Sequence, residues 1–416
     1  MRYRYFICFL IFSCYVLVFF HRLCPAVIAL DIQSSFNISG TLLGVLASAY
    51  FYSYAIMQLP TGLMADSWGP RKTVSIFFIL AGIGSILMGV ANNLTVAIIG
   101  RVLVGVGVST VFVCNFKILA EWFTPRQFLI MGSAFMVMGG LGALFSSAPL
   151  GWISELVGWR MTLTAVGILT LVMSALTYAF VRDKPSDMGL PSIGHDPRPT
   201  EKRIGLLAGM KMVFTSSQFW PLAIWSFCVT GIAFAMGGLW GGPYLMQVYG
   251  LSKMETGSIL STFALALIFG SPLLGWIANR LGRKPVLMGC SLLMMTVSGL
   301  MALHVNTLPI PALYILFFCL FLAGGPIGTV VATVSKELFP IEISGTSVGT
   351  VNIFPFLGGA VLQVVIGAAL TAGNPGQAIY NAESFRTMFF ILFAVATLSF
   401  AASFLLKETL PPRDRS

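Results

Sequence analysis

The segment Gly62-Leu-Met-Ala-Asp-Ser-Trp-Gly69 recurs later in the chain as Gly275-Trp-Ile-Ala-Asn-Arg-Leu-Gly282. The copies start 213 residues apart, at positions 62 and 275, and Gly132 and Gly345 are separated by the same offset. A repeat of this length predicts two structurally similar halves that run in the same direction. The fold then depends on which secondary-structure elements each half contains.

The composition is that of a membrane protein. Of the 416 residues, 57% are hydrophobic and only 9% are charged, whereas soluble domains carry about 25% charged residues. So little charge cannot cover a surface in water, which excludes a soluble enzyme, a secreted disulfide scaffold and a disordered protein. The apolar runs are continuous rather than alternating, which favours membrane helices over an outer-membrane β-barrel.

Twelve apolar segments are long enough to span a bilayer, since a membrane helix needs about 20 residues. They occur as six, a polar stretch, and six more. We place them near residues 5–30, 40–64, 73–92, 95–119, 128–152, 160–181, 219–247, 256–279, 285–304, 309–334, 344–372 and 385–406. The predicted fold is an all-α polytopic membrane protein with twelve transmembrane helices in two pseudo-symmetric six-helix bundles. Its predicted parts are an N-terminal bundle (1–181), a cytoplasmic linker (182–217), a C-terminal bundle (218–406) and a cytoplasmic tail (407–416).

The basic residues predict the orientation. The net charge is +10, and with an inner N-terminus the outer loops hold only Arg160, Lys253 and Arg386. Cytoplasmic loops of membrane proteins carry such an excess of Lys and Arg, so we expect both termini in the cytoplasm. The positive charge therefore indicates no nucleic-acid partner. The N-terminal apolar run lacks an A-x-A cleavage site and is interpreted as an uncleaved first helix.

The repeated loop resembles a known signature. Residues 62–72 are similar to the G-x-x-x-D-R-x-G-R-R/K loop of the major facilitator superfamily, with matches at Gly62, Asp66, Gly69 and Arg71. Ser67 and Pro70 stand where that signature usually has Arg. The second copy keeps Gly275, Arg280, Gly282 and Arg283, but Asn279 replaces the acid.

The fourth predicted helix resembles the superfamily as well, because Arg101, Gly105 and Gly107 match R-x-x-x-G-x-G. The resemblance extends over essentially the whole chain. It implies a secondary transporter with a central site between two halves that give access to each side in turn. It also implies gating or structural roles for Gly62, Asp66, Gly69, Arg71, Arg101, Gly105, Gly275, Arg280, Gly282 and Arg283. The glycines would allow close helix approach and tight turns, and Asp66 would latch one closed state.

Charges within the predicted helices indicate the substrate chemistry, because a charge is costly in the bilayer and is usually functional. The first half holds His21, Arg22, Arg101 and Lys117, and no Asp or Glu lies mid-helix. A positive cavity without carboxylates favours an anionic substrate. A guanidinium can hold a carboxylate or phosphate through two parallel hydrogen bonds.

Arg22 is the leading candidate ligand. It follows Arg4 by 18 residues, about 27 Å along a helix, so snorkelling to the outer surface or a structural pair is the alternative. The His21-Arg22 pair resembles the acid–Arg pair in the first helix of the anion:cation symporter branch. The segment from Cys114 to Lys117 resembles that branch's polar stretch in the fourth helix. His21 replaces the acid and the branch's fourth-helix acid is absent, so its proton route does not carry over.

Other polar side chains leave alternatives open. His21 is the candidate proton carrier, because a histidine side chain ionises near physiological pH. Alternatively, His21 is a neutral ring that donates to a backbone carbonyl. The substrate itself could also carry the proton. Arg101 fits a structural or coupling role as well as a ligand, and Lys117 fits a substrate contact, a gate contact or an interfacial charge. Tyr50 and Tyr54 either line the cavity or pack. The predicted binding set is Arg22, His21, Tyr50, Tyr54, Gln58, Lys117, Trp240, Tyr244 and Asn352.

The predicted function is secondary active transport of a small carboxylate-type organic anion across a bacterial inner membrane, by alternating access with proton coupling. The alternatives are a proton-coupled multidrug antiporter, which usually needs a buried acid, and an organic anion or phosphate exchanger, which usually has arginines in both halves.

We predict no enzyme, since His21, His195 and His304 are dispersed. The cysteines form no C-x-x-C pair, and no G-x-x-x-x-G-K-[ST] loop is present, so no metal, cofactor or ATP site is predicted. The expected partners are the substrate, protons and membrane lipid, and the expected state is a monomer.

Overall fold

The computed structural model describes residues 2–191, 206–340, 343–375, 377 and 379–410. Within these ranges, twelve helices are long and apolar enough to cross a membrane. In chain order, α1 to α12 comprise Tyr3–Leu23, Gly40–Ser67, Pro70–Val90, Leu94–Trp122, Pro125–Val157, Trp159–Phe180, Phe219–Tyr249, Lys253–Leu281, Arg283–Leu303, Ile310–Glu337, Ser344–Gly373 and Ala382–Ser403. The predicted all-α class with twelve transmembrane helices is confirmed, and the described residues contain no strand.

Two short helical segments lie in the predicted linker, at Pro185–Met188 and Leu206–Thr215. The linker residues 192–205 and the tail residues 411–416 lie outside the described ranges. A further helix, Pro25–Phe36, continues α1 after a break at Cys24. It ends at Asn37, which adopts the left-handed conformation with φ 50°.

These segments form helices because the hydrocarbon core of the bilayer contains no water. Each backbone N–H and C=O must therefore be hydrogen-bonded within its own segment. The helix starts are marked by short polar side chains. Ser39, Asn93 and Asn381 each accept a hydrogen bond from the backbone N–H three residues later. These caps satisfy donors that the first helical turn leaves free.

The two repeated loops adopt the same conformation. Gly69 and Gly282 directly precede α3 and α9, with φ of 84° and 113°. A side chain is strained in this region of backbone space. A Cβ at Gly69 would also lie 2.3 Å from an Asp183 carboxylate oxygen, and one at Gly282 would lie 2.5 Å from Glu408. Both glycines are therefore required by the turn.

The two carboxylates beside these glycines cap the following helices. Asp183 accepts the backbone N–H of Arg71 at 2.6 Å, and Glu408 accepts those of Arg283 and Lys284 at 2.9 and 3.0 Å. Burial raises the pKa of Asp183 above its ordinary value. Burial also acts to raise the pKa of Glu408, but hydrogen bonds from four backbone N–H groups outweigh it and lower that pKa. Asp183 follows α6 and Glu408 follows α12, so the structural similarity of the halves extends to the capping groups although the two carboxylates lie outside the 213-residue repeat.

The halves contact each other at the end of the bundle opposite the linker, which we call the far end. Lys253 of α8 pairs with Asp31 at 2.7 Å, and the Gln33 amide donates to the Tyr380 hydroxyl at 2.7 Å. At the other end, here called the linker end, the ion pairs between described residues stay within one half. The conformation is therefore closed at the far end.

The glycine-rich run of α7 changes the helical hydrogen bonding and permits close packing. The run from Gly237 to Pro243 predicts an interruption of the seventh helix, but α7 continues through it with π-helical turns at Ser226–Thr230 and Met236–Trp240. A Cβ at Gly242 would lie 1.6 Å from the carbonyl oxygen of Ala26. The α-helical hydrogen bonding is therefore interrupted at Gly237 and Gly238, while the helix as a whole continues, and Gly242 lets α7 approach the first half closely.

Candidate substrate site

A cavity lies between the two halves and extends from mid-helix toward the linker end. It is lined by residues of α1, α2, α4, α5, α7, α8, α10 and α11, and it holds about 1030 Å³ of empty space, part of it open to solvent. Among the described residues that line it, Arg22 alone is charged. Contributions from both halves match the site expected for a transporter built from two repeats.

Arg22 is enclosed by aromatic rings. Its Nε donates to the Tyr50 hydroxyl at 3.3 Å, and the side chain is only 4% exposed. The guanidinium carbon lies 4.5 to 5.4 Å from four ring centroids, those of Phe19, Tyr54, Phe234 and Phe356. Ring faces attract a cation, but they do not neutralise it. The structure thus places Arg22 centrally and not at the outer surface.

Arg22 has no carboxylate partner in the part of the chain that the structure describes. The described residues form four ion pairs, and none of them includes this side chain. Nε is bonded to Tyr50, whereas the terminal N–H groups have no hydrogen-bond acceptor among the described residues. A buried charge is normally paired, because the loss of hydration costs several kcal/mol. The cavity therefore presents an uncompensated cation with free donors.

Arg101 contacts residues that position Arg22, although it does not itself line the cavity. It is 1% exposed, its Nη1 donates to the backbone oxygen of His21 at 2.9 Å, and its guanidinium carbon lies 5.0 Å from the Tyr50 ring centroid. A Cβ at Gly105 would lie 2.4 Å from the Tyr50 carbonyl oxygen. Gly105 thus lets α4 pack closely on α2, and Arg101 contacts the tyrosine that holds Arg22.

His21 points away from the cavity. Its Nε2 lies 3.0 Å from the Thr170 hydroxyl of α6, and that hydroxyl donates to the Val166 carbonyl oxygen. Thr170 therefore accepts from Nε2, which carries a proton. Consecutive helical residues point about 100° apart, so His21 faces α6 while Arg22 faces the cavity.

The polar residues of α2 divide into three roles. Tyr54 lines the cavity, whereas Tyr50 is fully buried beside it and holds Arg22. Gln58 accepts a hydrogen bond from the Asn352 amide of α11 at 2.7 Å. Asn352 also lines the cavity, so this pair connects the halves one helical turn toward the linker end from Tyr54.

Three further predicted binding residues, besides His21, Tyr50 and Gln58, do not line the cavity. Trp240 Nε1 donates to the Gln363 carbonyl oxygen at 2.9 Å, and the Tyr244 hydroxyl donates to the Val305 carbonyl oxygen at 2.8 Å. Both side chains are fully buried in the C-terminal half. Lys117 lies at the linker end. In this conformation these polar groups are occupied by protein partners, because helix packing turns them away from the cavity.

The predicted gating residues form contacts within each half. Lys117 pairs with Asp66 at 2.8 Å, and Arg71 donates to the Tyr178 carbonyl oxygen at 2.7 Å. Apart from its chain neighbours and the backbone of its own helix, no described atom lies within 4 Å of a Cβ built on Gly62. The expected close helix approach at Gly62 is therefore not present in this conformation.

The gating residues of the second loop copy, at 275–283, also form contacts within their own half. Arg283 pairs with Glu337 at 3.1 Å and donates to the Asn279 side chain at 2.7 Å. Arg280 lies with its guanidinium 4.0 Å from the Trp276 ring centroid. A Cβ at Gly275 would meet only ordinary contacts, the nearest at 3.6 Å.

Sequence reasoning missed part of the cavity wall and one contact between the halves. Phe263, Phe321 and Ser335 line the cavity, but nothing distinguishes them from the many similar residues of apolar helices. The Asp31–Lys253 pair at the far end was also missed. Here a signal existed, since both residues lie near predicted outer helix ends with opposite charge.

A sequence profile of the Major Facilitator Superfamily matches residues 8–362, with a further match over 241–416. The chain belongs to this superfamily. It is a multi-pass membrane transporter and not an enzyme, as the resemblance of its loop and fourth-helix motifs implies.

Named relatives are similar over most of the chain. The D-galactonate transporter of Escherichia coli is 24% identical, covering 88% of this chain and 89% of that protein. The probable galactarate/D-glucarate transporter GudP of Escherichia coli is 24% identical, covering 81% of each. The probable hexose phosphate transport protein of Chlamydia trachomatis is 23% identical, covering 78% of this chain and 76% of that protein.

Solved structures share the fold. A bacterial homolog of the human lysosomal transporter Spinster, inward-facing and unoccupied, superposes with a TM-score of 0.78 at 18% identity, covering 96% of this chain and 97% of that one. The D-xylose-proton symporter gives 0.74 at 14% identity, covering 98% of each. These likenesses show the architecture and not the substrate.

Proposed function

We propose that this protein is a secondary active transporter of a small organic anion, and that Arg22 binds the carboxylate of that anion. The observation that supports this most directly is the buried guanidinium of Arg22, which faces the cavity without a carboxylate partner among the described residues. A substrate carboxylate would supply the missing charge and accept two N–H bonds. The anionic substrates in the names of the relatives agree with this chemistry.

Alternating access is part of the proposal. The N-terminal bundle (1–181) and the C-terminal bundle (218–406) would rock about the cavity, with residues 182–217 as the cytoplasmic linker. The far-end contacts Asp31–Lys253 and Gln33–Tyr380 would break when that end opens. In exchange, the loop signatures at the linker end would come together across the halves.

We also propose a bacterial inner membrane with both termini in the cytoplasm, supported by the excess of Lys and Arg on the linker side and by the bacterial sources of the relatives. The linker end then faces the cytoplasm, and the present conformation is inward-facing. A monomer is sufficient, because both halves of the cavity come from one chain.

Proton symport completes the proposal. The two candidate carriers are His21 and the substrate carboxyl group. His21 faces Thr170 rather than the cavity, and it lies beside the cations Arg22 and Arg101. A further positive charge there has no carboxylate to balance it among the described residues. We therefore propose that His21 stays neutral during transport and is not the carrier, and that the carboxylate bound by Arg22 stays ionised.

A binding screen tests the proposal. Purified protein in detergent would be heated with small carboxylates, phosphates or cationic drugs, since a ligand at a hundredfold excess over its Kd stabilises the folded state by about 2.7 kcal/mol. We expect carboxylates to raise the Tm of the wild type but not of Arg22→Gln. Lys117→Gln is the matched control, because it removes a cation outside the cavity, and it should retain the response.

Two results would contradict the proposal. Stabilisation by cationic drugs alone would favour multidrug antiport. An equal carboxylate response in wild type and Arg22→Gln would remove Arg22 from the site.

A further inference from the structure

The wall of the cavity is aromatic and apolar. Of its 25 lining residues in the described part of the chain, eight are Phe or Tyr and one is charged. Phe263 and Phe321 pack on each other with ring centroids 4.8 Å apart, and Phe234 and Phe356 stack at 5.4 Å. Apart from the surroundings of Arg22, the space available to a substrate is therefore bounded mainly by hydrocarbon.

Most polar groups on the C-terminal side of this wall are already bonded to protein. Ser271 and Thr230 donate to backbone carbonyl oxygens of α10 at 2.9 and 3.5 Å, and the Asn352 amide donates to Gln58. Ser335 Oγ is buried and has no partner among the described residues. A buried hydroxyl group without a partner loses its bonds to water. A substrate with four or five hydroxyl groups would leave several of them unpaired here.

The charge of the wall limits the substrate as well. Arg22 is the one cation among the described lining residues, so one carboxylate is balanced and a second is not. A second carboxylate would lie among apolar side chains, where an unpaired charge is strongly disfavoured.

We infer that the substrate is a monocarboxylate with an apolar body, of which an arylalkanoate such as 3-phenylpropionate is a simple example. This inference rests on the carboxylate transport proposed above. Arg22 would hold the carboxylate, and the body would extend toward Phe263 and Phe321. The polyhydroxylated acids in the names of the relatives share the anionic group but not the apolar body.

Titration calorimetry on the purified full-length protein tests the inference. The probes are the linear acids from propionate to hexanoate, 3-phenylpropionate, 3-phenylpropionamide, D-galactonate and D-galactarate. We expect Kd to fall about fourfold for each added methylene group, from about 0.8 kcal/mol of apolar transfer. We expect 3-phenylpropionate to bind at least about tenfold more tightly than D-galactonate, and the amide and D-galactarate to bind far more weakly.

Two variants make the test specific. Arg22→Gln should abolish the binding of 3-phenylpropionate. Ser335→Ala removes a hydroxyl group on the wall and should leave the affinity for 3-phenylpropionate equal or higher, because the apolar body does not need it. Uptake of radiolabelled 3-phenylpropionate into proteoliposomes should show the same order among wild type and variants.

The opposite pattern would overturn the inference. The inference fails if D-galactonate binds as tightly as 3-phenylpropionate, if affinity does not rise along the acid series, or if Ser335→Ala weakens the binding of 3-phenylpropionate. Each result would show that the wall does not select an apolar body. If carboxylate binding still required Arg22, transport of an organic anion would remain supported. If no carboxylate bound in an Arg22-dependent way, both this inference and the proposed function would fail.

Discussion

The ion pair between Asp31 and Lys253 is expected to set the balance between the two conformations. It joins the halves at the far end with an N–O distance of 2.7 Å, and the two side chains are 26% and 22% exposed. Charged hydrogen bonds contribute about 1.5–3 kcal/mol, and partial exposure reduces this toward the surface value. We therefore assign the pair about 1–2 kcal/mol, which is about a 5- to 30-fold change in the conformer ratio.

Asp31→Asn should accordingly shift the population toward the form that is open at the far end. Spin labels at the exposed residues Asn92 and Thr307, which lie at the far end in opposite halves, would report the distance distribution by pulsed electron resonance in a cysteine-free background. The ratio of the longer-distance to the shorter-distance population should rise by the factor given above. Exchanging the charges, with Asp31→Lys and Lys253→Asp together, should restore the original distribution.

Glu383→Gln is the matched control for this experiment. Glu383 pairs with Arg386 at the same end, but both belong to α12, so the change should leave the distribution unaltered. An unchanged distribution in Asp31→Asn would refute the assignment of this pair as a far-end latch. An equal shift in Asp31→Asn and Glu383→Gln would show a general charge effect and no latch.

Three further predictions concern the repeated glycines, the Glu408 cap and His21. Gly69→Ala and Gly282→Ala should each lower the free energy of unfolding by about 1–3 kcal/mol, because of strain at positive φ and contact with a carboxylate. Gly62→Ala is the control, since a Cβ there meets open space, and it should leave the free energy of unfolding unchanged. Equal melting curves for all three variants would contradict this. The lowered pKa of Glu408 means that its contribution is present above the ordinary glutamate pKa and is lost as pH falls through the folded value. The melting temperature of Glu408→Gln should therefore fall less between pH 7 and pH 3 than that of the wild type, and parallel curves would exclude the capping role. His21→Gln should keep proton-driven uptake of a bound carboxylate in proteoliposomes, and loss of its dependence on a pH gradient would identify His21 as the carrier.

The membrane class, the number of helices and the repeat were readable from the sequence because each depends on local or periodic properties. A run of about 20 apolar residues forms a helix in lipid whatever its neighbours are. A charge such as Arg22 is conspicuous in such a run, because lipid tolerates few charges. The sequence also carried the signal for the turns at Gly69 and Gly282, since both occur at the same place in the repeat.

The direction of each polar side chain was decided by tertiary structure. His21 and Arg22 are adjacent in sequence, and Tyr50 and Tyr54 share a face of α2, yet only Arg22 and Tyr54 line the cavity. Packing sets the rotation of each helix about its axis, and hydropathy does not report that angle. Trp240 and Tyr244 are bonded to carbonyl groups of neighbouring helices for the same reason.

The sequence by itself thus determined a twelve-helix membrane transporter with a positive charge in its first helix, because these properties come from residues close together in the chain. Only the tertiary structure decided that Arg22 faces an aromatic cavity where no described carboxylate pairs with it, and that Asp31 pairs with Lys253. These arrangements join helices from both halves, so they depend on how the helices pack and not on any one segment.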